Sequence, residues 1–155
     1  MTRIKAISFD LDGTLIDYRF VDSVWLEGIP RLYSAKKGVS FDDARKAVKK
    51  EYDKIGKERL EWYDLHYWTR KFDLNVTWHE LLQYFQHRIK TYPEVPKVLR
   101  ELKQRGFRLI IVTNARREFA ELELKKTKIE DYFERVFSST SDFALVKKTV
   151  GLYQR

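Results

Sequence analysis

The sequence predicts an α/β fold: a parallel sheet interrupted after its first strand by an all-helical insert. Three observations predict it. Near-continuous apolar runs stand at residues 4–9, the pattern of a parallel strand covered on both faces, and at 107–113, and "RVFSS" at 135–139 reads as a short third strand. Helical periodicity fills the spaces between the last two. Residues 17–90 carry helical periodicity and many aromatics, with almost no strand signal.

The elements follow in order. "IKAISF", residues 4–9, reads as a buried first strand, and "DLDGT" follows it directly. Four helices are predicted next, over 20–36, 41–55, 58–72 and 78–90. Ser40 with Asp43 resembles a capping box with Asp in place of Glu or Gln, and Thr77 with Glu80 is a proper one. Pro93 and Pro96 mark a junction and a helix start. Val98, Leu99 and Leu102 give that helix an apolar face, and Gly106 ends it. Strand 107–113, helix 116–127 and strand 135–139 complete a strand–helix–strand alternation at close spacing, which implies a partial Rossmann-like core. The expected division is therefore core at 1–16 and 91–155, with the helical insert at 17–90.

Composition narrows the function. The chain has 155 residues, 43% hydrophobic and 15% aromatic, which is enough for a real core and argues against disorder. It has no cysteine, so disulfide frameworks and thiolate metal sites are excluded, and a reducing, cytoplasmic setting is expected. No apolar run approaches the roughly 20 residues of a membrane helix, so no membrane partner is expected. The net charge of +8 favours anionic partners. In "KKEYDKIGKER", residues 49–59, acids interleave with bases at helical spacing, which reads as a solvated face rather than a nucleic-acid stripe. His66, His79 and His87 form no i,i+4 pair and read as structural residues.

Ligands of open α/β sheets bind beyond the carboxyl ends of the strands. Asp10 and Asp12 stand at the end of the first strand, Thr113 and Asn114 at the end of the second, and Lys147 and Lys148 after the third. "DLDGT" at 10–14, "IVTN" at 111–114 and a lysine near 147 resemble the first three motifs of the haloacid dehalogenase-like superfamily of phosphohydrolases. The insert at 17–90 resembles the helical cap of its C1-type members.

The resemblance implies a phosphatase acting on a small phosphorylated metabolite. Asp10 would be the nucleophile and Asp12 the general acid. Gly13, Thr113, Asn114 and Lys147 would bind the phosphoryl group. Mg²⁺ would be held by the Asp10 carboxylate and the Asp12 backbone carbonyl. Lys147 is preferred to Lys148 because an aromatic, Tyr153, stands six residues on. A phosphomutase with the same Asp pair, or a non-catalytic anion- or nucleic-acid-binding module, are the rival readings.

A fourth motif, carrying further metal-binding acids, is expected about 25 residues beyond the lysine. The chain has eight residues after Lys147 and its last acid is Asp142, so the site is expected to be incomplete here. An exposed apolar edge at 4–9 is expected in consequence. Dimerisation, or association with a C-terminal fragment supplying the missing strand, would cover it.

Overall fold

The computed structural model describes residues 4–148 and Tyr153. In chain order its elements are β1 (Ala6–Phe9), α1 (Arg19–Asp22), a π-helical turn (Ser23–Gly28), α2 (Ile29–Lys37), α3 (Phe41–Ile55), α4 (Leu65–Lys71), α5 (Trp78–Phe85), α6 (Val95–Gln104), β2 (Arg108–Thr113), α7 (Arg117–Thr127), β3 (Arg135–Ser138) and α8 (Ser139–Asp142). Short 3₁₀ turns occupy Leu60–Tyr63, Gln86–Arg88 and Glu130–Tyr132. The chain divides into two compact units, Met1–Tyr18 with Ile89–Arg155, and Arg19–Arg88. No helix among the described residues is long and apolar enough to cross a membrane.

The first unit is an α/β core around a three-stranded sheet of order β1-β2-β3, all parallel. Phe9 pairs with Ile111, and Thr113 with Ser138, so all three strands end at one edge of the sheet. Leu109, Ile111 and Val112 of the central strand are buried, with Leu99 of α6 and Phe119, Ala120 and Leu124 of α7. The sequence reading covered β1 on both faces. In the structure β1 is only half-buried, with Ala6 and Ser8 exposed and Ile4 70% exposed. The cause is position: among the described residues β1 is an edge strand, and only β2 has neighbours on both sides.

Where the core receives the two ends of the insert, the chain is strapped by backbone bonds. Ile16 bridges Thr91 antiparallel, Asp17 N–H donates to the Lys90 carbonyl at 3.1 Å, and Tyr92 N–H donates to Leu15. These bonds draw residues 17, 18, 89 and 90 into the core, two at each border more than the sequence reading allotted to it.

The second unit is all-helical among its described residues. Trp68, Tyr52 and Phe72 form its aromatic centre. Trp68 stacks on Phe72 with ring centroids 5.5 Å apart and meets Tyr52 edge-on at 4.6 Å. Three helices depart from the expected spans. The stretch expected as one helix over 20–36 carries the π turn, in which Ile29 N–H reaches the Val24 carbonyl. Pro30, near the start of α2, has no N–H and its ring would clash with a carbonyl one turn back, and widening the turn accommodates both. Gly28 in that turn faces α5, where a Cβ would stand 2.7 Å from Phe85 and 2.9 Å from Leu81.

The helix expected over 58–72 is split at Asp64, whose carboxylate caps α4 by accepting the Tyr67 N–H at 3.0 Å. The last predicted helix stops at Phe85 and tightens into the 3₁₀ turn. Thr77 and Glu80 form the reciprocal capping box expected of them. Ser40 accepts the Asp43 N–H, but the Asp43 carboxylate takes the Ser40 hydroxyl instead of reaching the backbone.

Candidate active site

Asp10 directly follows β1, and Oδ1 of its carboxylate accepts the Leu11 N–H at 2.8 Å. The chain then coils on itself around the buried Leu11, whose carbonyl receives the N–H groups of Thr14, Leu15 and Ile16. Gly13 takes φ +75°, a left-handed value that favours glycine, and its N–H donates to Ile16 at 2.7 Å. Tyr18 lies directly on Gly13: a Cβ there would stand 2.3 Å from the phenol oxygen. Gly13 therefore shapes the loop, and its own N–H is spent within it.

Thr113 ends β2, one strand over from Asp10. It is 1% exposed, and its Oγ1 accepts the Ala115 N–H at 3.1 Å. That contact leaves the hydroxyl hydrogen for an acceptor at the sheet edge. Asn114 was expected to bind phosphate. Its side chain is instead committed to protein: Nδ2 donates to the Val146 carbonyl at 3.0 Å, and Oδ1 accepts from the Ser139 hydroxyl at 2.7 Å. The loops after β2 and β3 are laced by further hydroxyls. Ser138 Oγ donates to the Ala115 carbonyl and Thr140 Oγ1 to the Asn114 carbonyl. Arg117 pairs with both oxygens of Asp142. The sequence reading passed over "SSTSD" (138–142), whose run of short hydroxyl side chains after a strand was the available signal.

The lysine paired with Asp10 is Lys148. Its Nζ lies 2.8 Å from Oδ1 of Asp10, with the Asp10 side chain 45% exposed. Sequence spacing had favoured Lys147. The aromatic marker Tyr153 is 54% exposed, and residues 149–152 between it and Lys148 lie outside the described residues.

Glu123 was not anticipated. It sits on α7 with no exposed surface, one turn from Phe119 and beside Leu124, and neither of its carboxyl oxygens has a hydrogen-bond partner among the described residues. Burial pushes its pKa well above the ordinary carboxylate range, and the nearby Asp12 pushes the same way. Buried without a hydrogen-bond partner, the Glu123 carboxyl is favoured in its neutral form.

The oxygens presented near Asp10 suit a hard cation. Oδ1 of Asp10 takes both the Leu11 N–H and Lys148, which leaves Oδ2 for a metal among the described residues. No cluster of three or more His, Cys, Asp or Glu that could hold a metal occurs among the described residues. The set expected from the resemblance, the Asp10 carboxylate with the Asp12 backbone carbonyl, would offer two protein oxygens. That fits Mg²⁺, which retains several waters and takes oxygens from a substrate phosphate.

Residues 4–149 match the family model of haloacid dehalogenase-like hydrolases. The chain belongs to the haloacid dehalogenase-like hydrolase family. It is 25% identical over 150 residues to the GMP/IMP nucleotidase YrfG of Escherichia coli K12, covering 97% of this chain and 66% of that protein. It is 30% identical over 153 residues to a glyceraldehyde 3-phosphate phosphatase of Pyrococcus abyssi, covering 94% of this chain and 63% of that one. Among solved structures, a haloacid dehalogenase-like (HAD) phosphatase from Thermococcus onnurineus superposes with a TM-score of 0.75 at 31% identity, covering 88% of this chain and 62% of that one. The chain thus spans somewhat less than two thirds of the length of each of these relatives.

Proposed function

We propose that this haloacid dehalogenase-like hydrolase is a Mg²⁺-dependent phosphatase of a small phosphorylated metabolite, acting through an aspartyl-phosphate. The Lys148–Asp10 pair at the carboxyl end of the sheet is the observation that carries the reading. A lysine ammonium beside a strand-end carboxylate supplies the positive charge that a phosphoryl group needs there. The relatives' names, a nucleotidase and a sugar-phosphate phosphatase, agree on phosphate esters and differ on the rest of the substrate.

The steps follow from the residues. Asp10 attacks phosphorus as the ester P–O bond breaks, and Asp12 gives its proton to the departing alkoxide. Water then attacks phosphorus of the aspartyl-phosphate. Asp12 accepts a proton from that water, and the bond between phosphorus and the carboxylate breaks to release phosphate. Thr113 donates its hydroxyl hydrogen to a phosphoryl oxygen, and Lys148 offsets the charge of Asp10 and the phosphoryl group. Mg²⁺, when bound at Asp10 and the Asp12 carbonyl, supplies further charge neutralisation. Asp12 also favours phosphate esters over halides, because a halide leaves without a proton.

The test is hydrolysis of 4-nitrophenyl phosphate with Mg²⁺ and with chelator, on the 155-residue chain and on any longer natural form. Acid quenching should trap phosphate on Asp10, and Asp10→Asn should abolish both the trapped species and turnover. Hydrolysis that survives Asp10→Asn would overturn the reading, and a panel of small phosphate esters then ranks substrates.

A further inference from the structure

We infer that Asn114 is a positioning residue, whose carboxamide holds the segment after α8 so that Lys148 meets Asp10. The inference rests on the assignment of Asp10 and Lys148 to the phosphoryl site. It concerns how that site is assembled.

The segment between α8 and Lys148 has little structure of its own. It leaves α8 through Phe143 and reverses at Ala144, where φ is +53°. A residue with a Cβ is disfavoured in that left-handed region, and it stays there only where its surroundings hold it. Two hydrogen bonds just past the reversal do so. Leu145 N–H donates to the Ser139 carbonyl at 2.9 Å. The Val146 carbonyl accepts from Asn114 Nδ2 at 3.0 Å. Two residues further on, Lys148 reaches Asp10.

Asn114 is itself fixed by what precedes and faces it. It follows the last residue of β2, so its backbone is set by the sheet. Its Oδ1 accepts from the hydroxyl of the wholly buried Ser139, which orients the amide with its nitrogen toward Val146. Its carbonyl accepts from Thr140. A long lysine on an irregular segment has many rotamers. Tying Val146 to the strand that carries Thr113 removes the freedom of its backbone anchor. The groups that meet the phosphoryl oxygens are thereby referenced to one strand end.

The experiment is pulsed acetylation of lysine amines in the full chain, read by mass spectrometry residue by residue. Lys97, 80% exposed, gives the rate of an open amine. Lys36, 28% exposed and paired with Asp73, reports general unfolding. Asn114→Asp keeps the acceptor used by Ser139 and replaces the donor to Val146 with an acceptor. It should raise Lys148 acetylation several-fold toward the Lys97 rate and leave Lys36 unchanged. Ser139→Ala should act in the same direction and less strongly. In turnover assays Asn114→Asp should lower kcat by up to about 10²-fold with little change in KM. It should have no further effect in a Lys148→Ala background.

Unchanged Lys148 acetylation in both folded variants overturns the inference, as does an added loss of kcat on top of Lys148→Ala. Faster Lys148 acetylation in a protein that hydrolyses no phosphate ester supports the positioning role and overturns the phosphatase reading alone.

Discussion

Glu123, wholly buried on α7 with neither carboxyl oxygen hydrogen-bonded among the described residues, interacts electrostatically with Asp12 in the loop after β1. Its pKa is raised, first by burial and then by Asp12. Above the ordinary value of 4.5 the unfolded chain releases this proton while the native state retains it. Stability from this group is therefore greatest at low pH, and is lost as pH climbs from the unfolded value through the raised folded one. Glu123→Gln carries a permanent donor and removes that dependence. Urea melts from about pH 5 to about pH 8, in chelator, should show the Gln variant gaining on the wild type as pH rises. Parallel curves for the two proteins would contradict a raised pKa at Glu123.

Asp10 and Asp12 should fail in different ways. Asp10→Asn should form no phosphoenzyme. Asp12→Asn should slow turnover about 10²–10⁴-fold, the usual contribution of a general acid. The loss should shrink for esters with acidic leaving groups, which need little protonation. Rates measured across leaving groups of widely different pKa decide it, and a uniform loss would remove Asp12 from the acid role.

The two adjacent lysines should separate cleanly. Lys148→Ala removes the ammonium at Asp10 and should lower kcat about 10²–10³-fold, the scale of losing one charge-stabilising donor. Lys147→Ala should cost much less. Steady-state kinetics of the two single variants is the measurement, and the reverse ranking would return the role to Lys147.

Gly13→Ala should destabilise the core by about 1–3 kcal/mol, because its φ of +75° strains any residue with a Cβ. Part of the cost comes from Tyr18, which lies where the new methyl would stand. A double-mutant cycle with Tyr18→Ala, followed by chemical denaturation, should therefore recover some of the loss and leave the backbone part. Full additivity would mean that the ring moves aside without cost.

Much of the core was legible because strands and their polar ends use local signals. The apolar run before Thr113 and the Asp-Gly turn after β1 both announce themselves in a few residues. The misses share a different cause. Whether β1 is covered depends on neighbours that its own residues do not encode. Lys148 faces Asp10 because tertiary hydrogen bonds hold Ala144 at positive φ, and no local pattern in "FALVKK" chooses between the lysines. The π turn and the α4 cap did have local causes, Pro30 and Asp64, which the apolar periodicity around them concealed. Glu123 stands four residues after Phe119 on the buried face of α7, so a charged residue in register with core positions was a readable anomaly.

The pairing of Phe9 with Ile111 joins strands separated in sequence by the entire helical unit. That separation sets the order in which the protein can fold. Bringing distant ends together has an entropic cost that must be met before the contact gives anything back. The helices of residues 19–88 form a compact unit of their own and can form early. Once formed, they replace a long flexible loop with a compact body, and the Asp17–Lys90 and Ile16–Thr91 bonds can then clip its two stems together. Only after that closure does β1 have an affordable route to β2. The Asp10–Lys148 pair links the two extremes of the described chain, so it forms among the last events. Hydrogen exchange during refolding should accordingly protect α3 before β1.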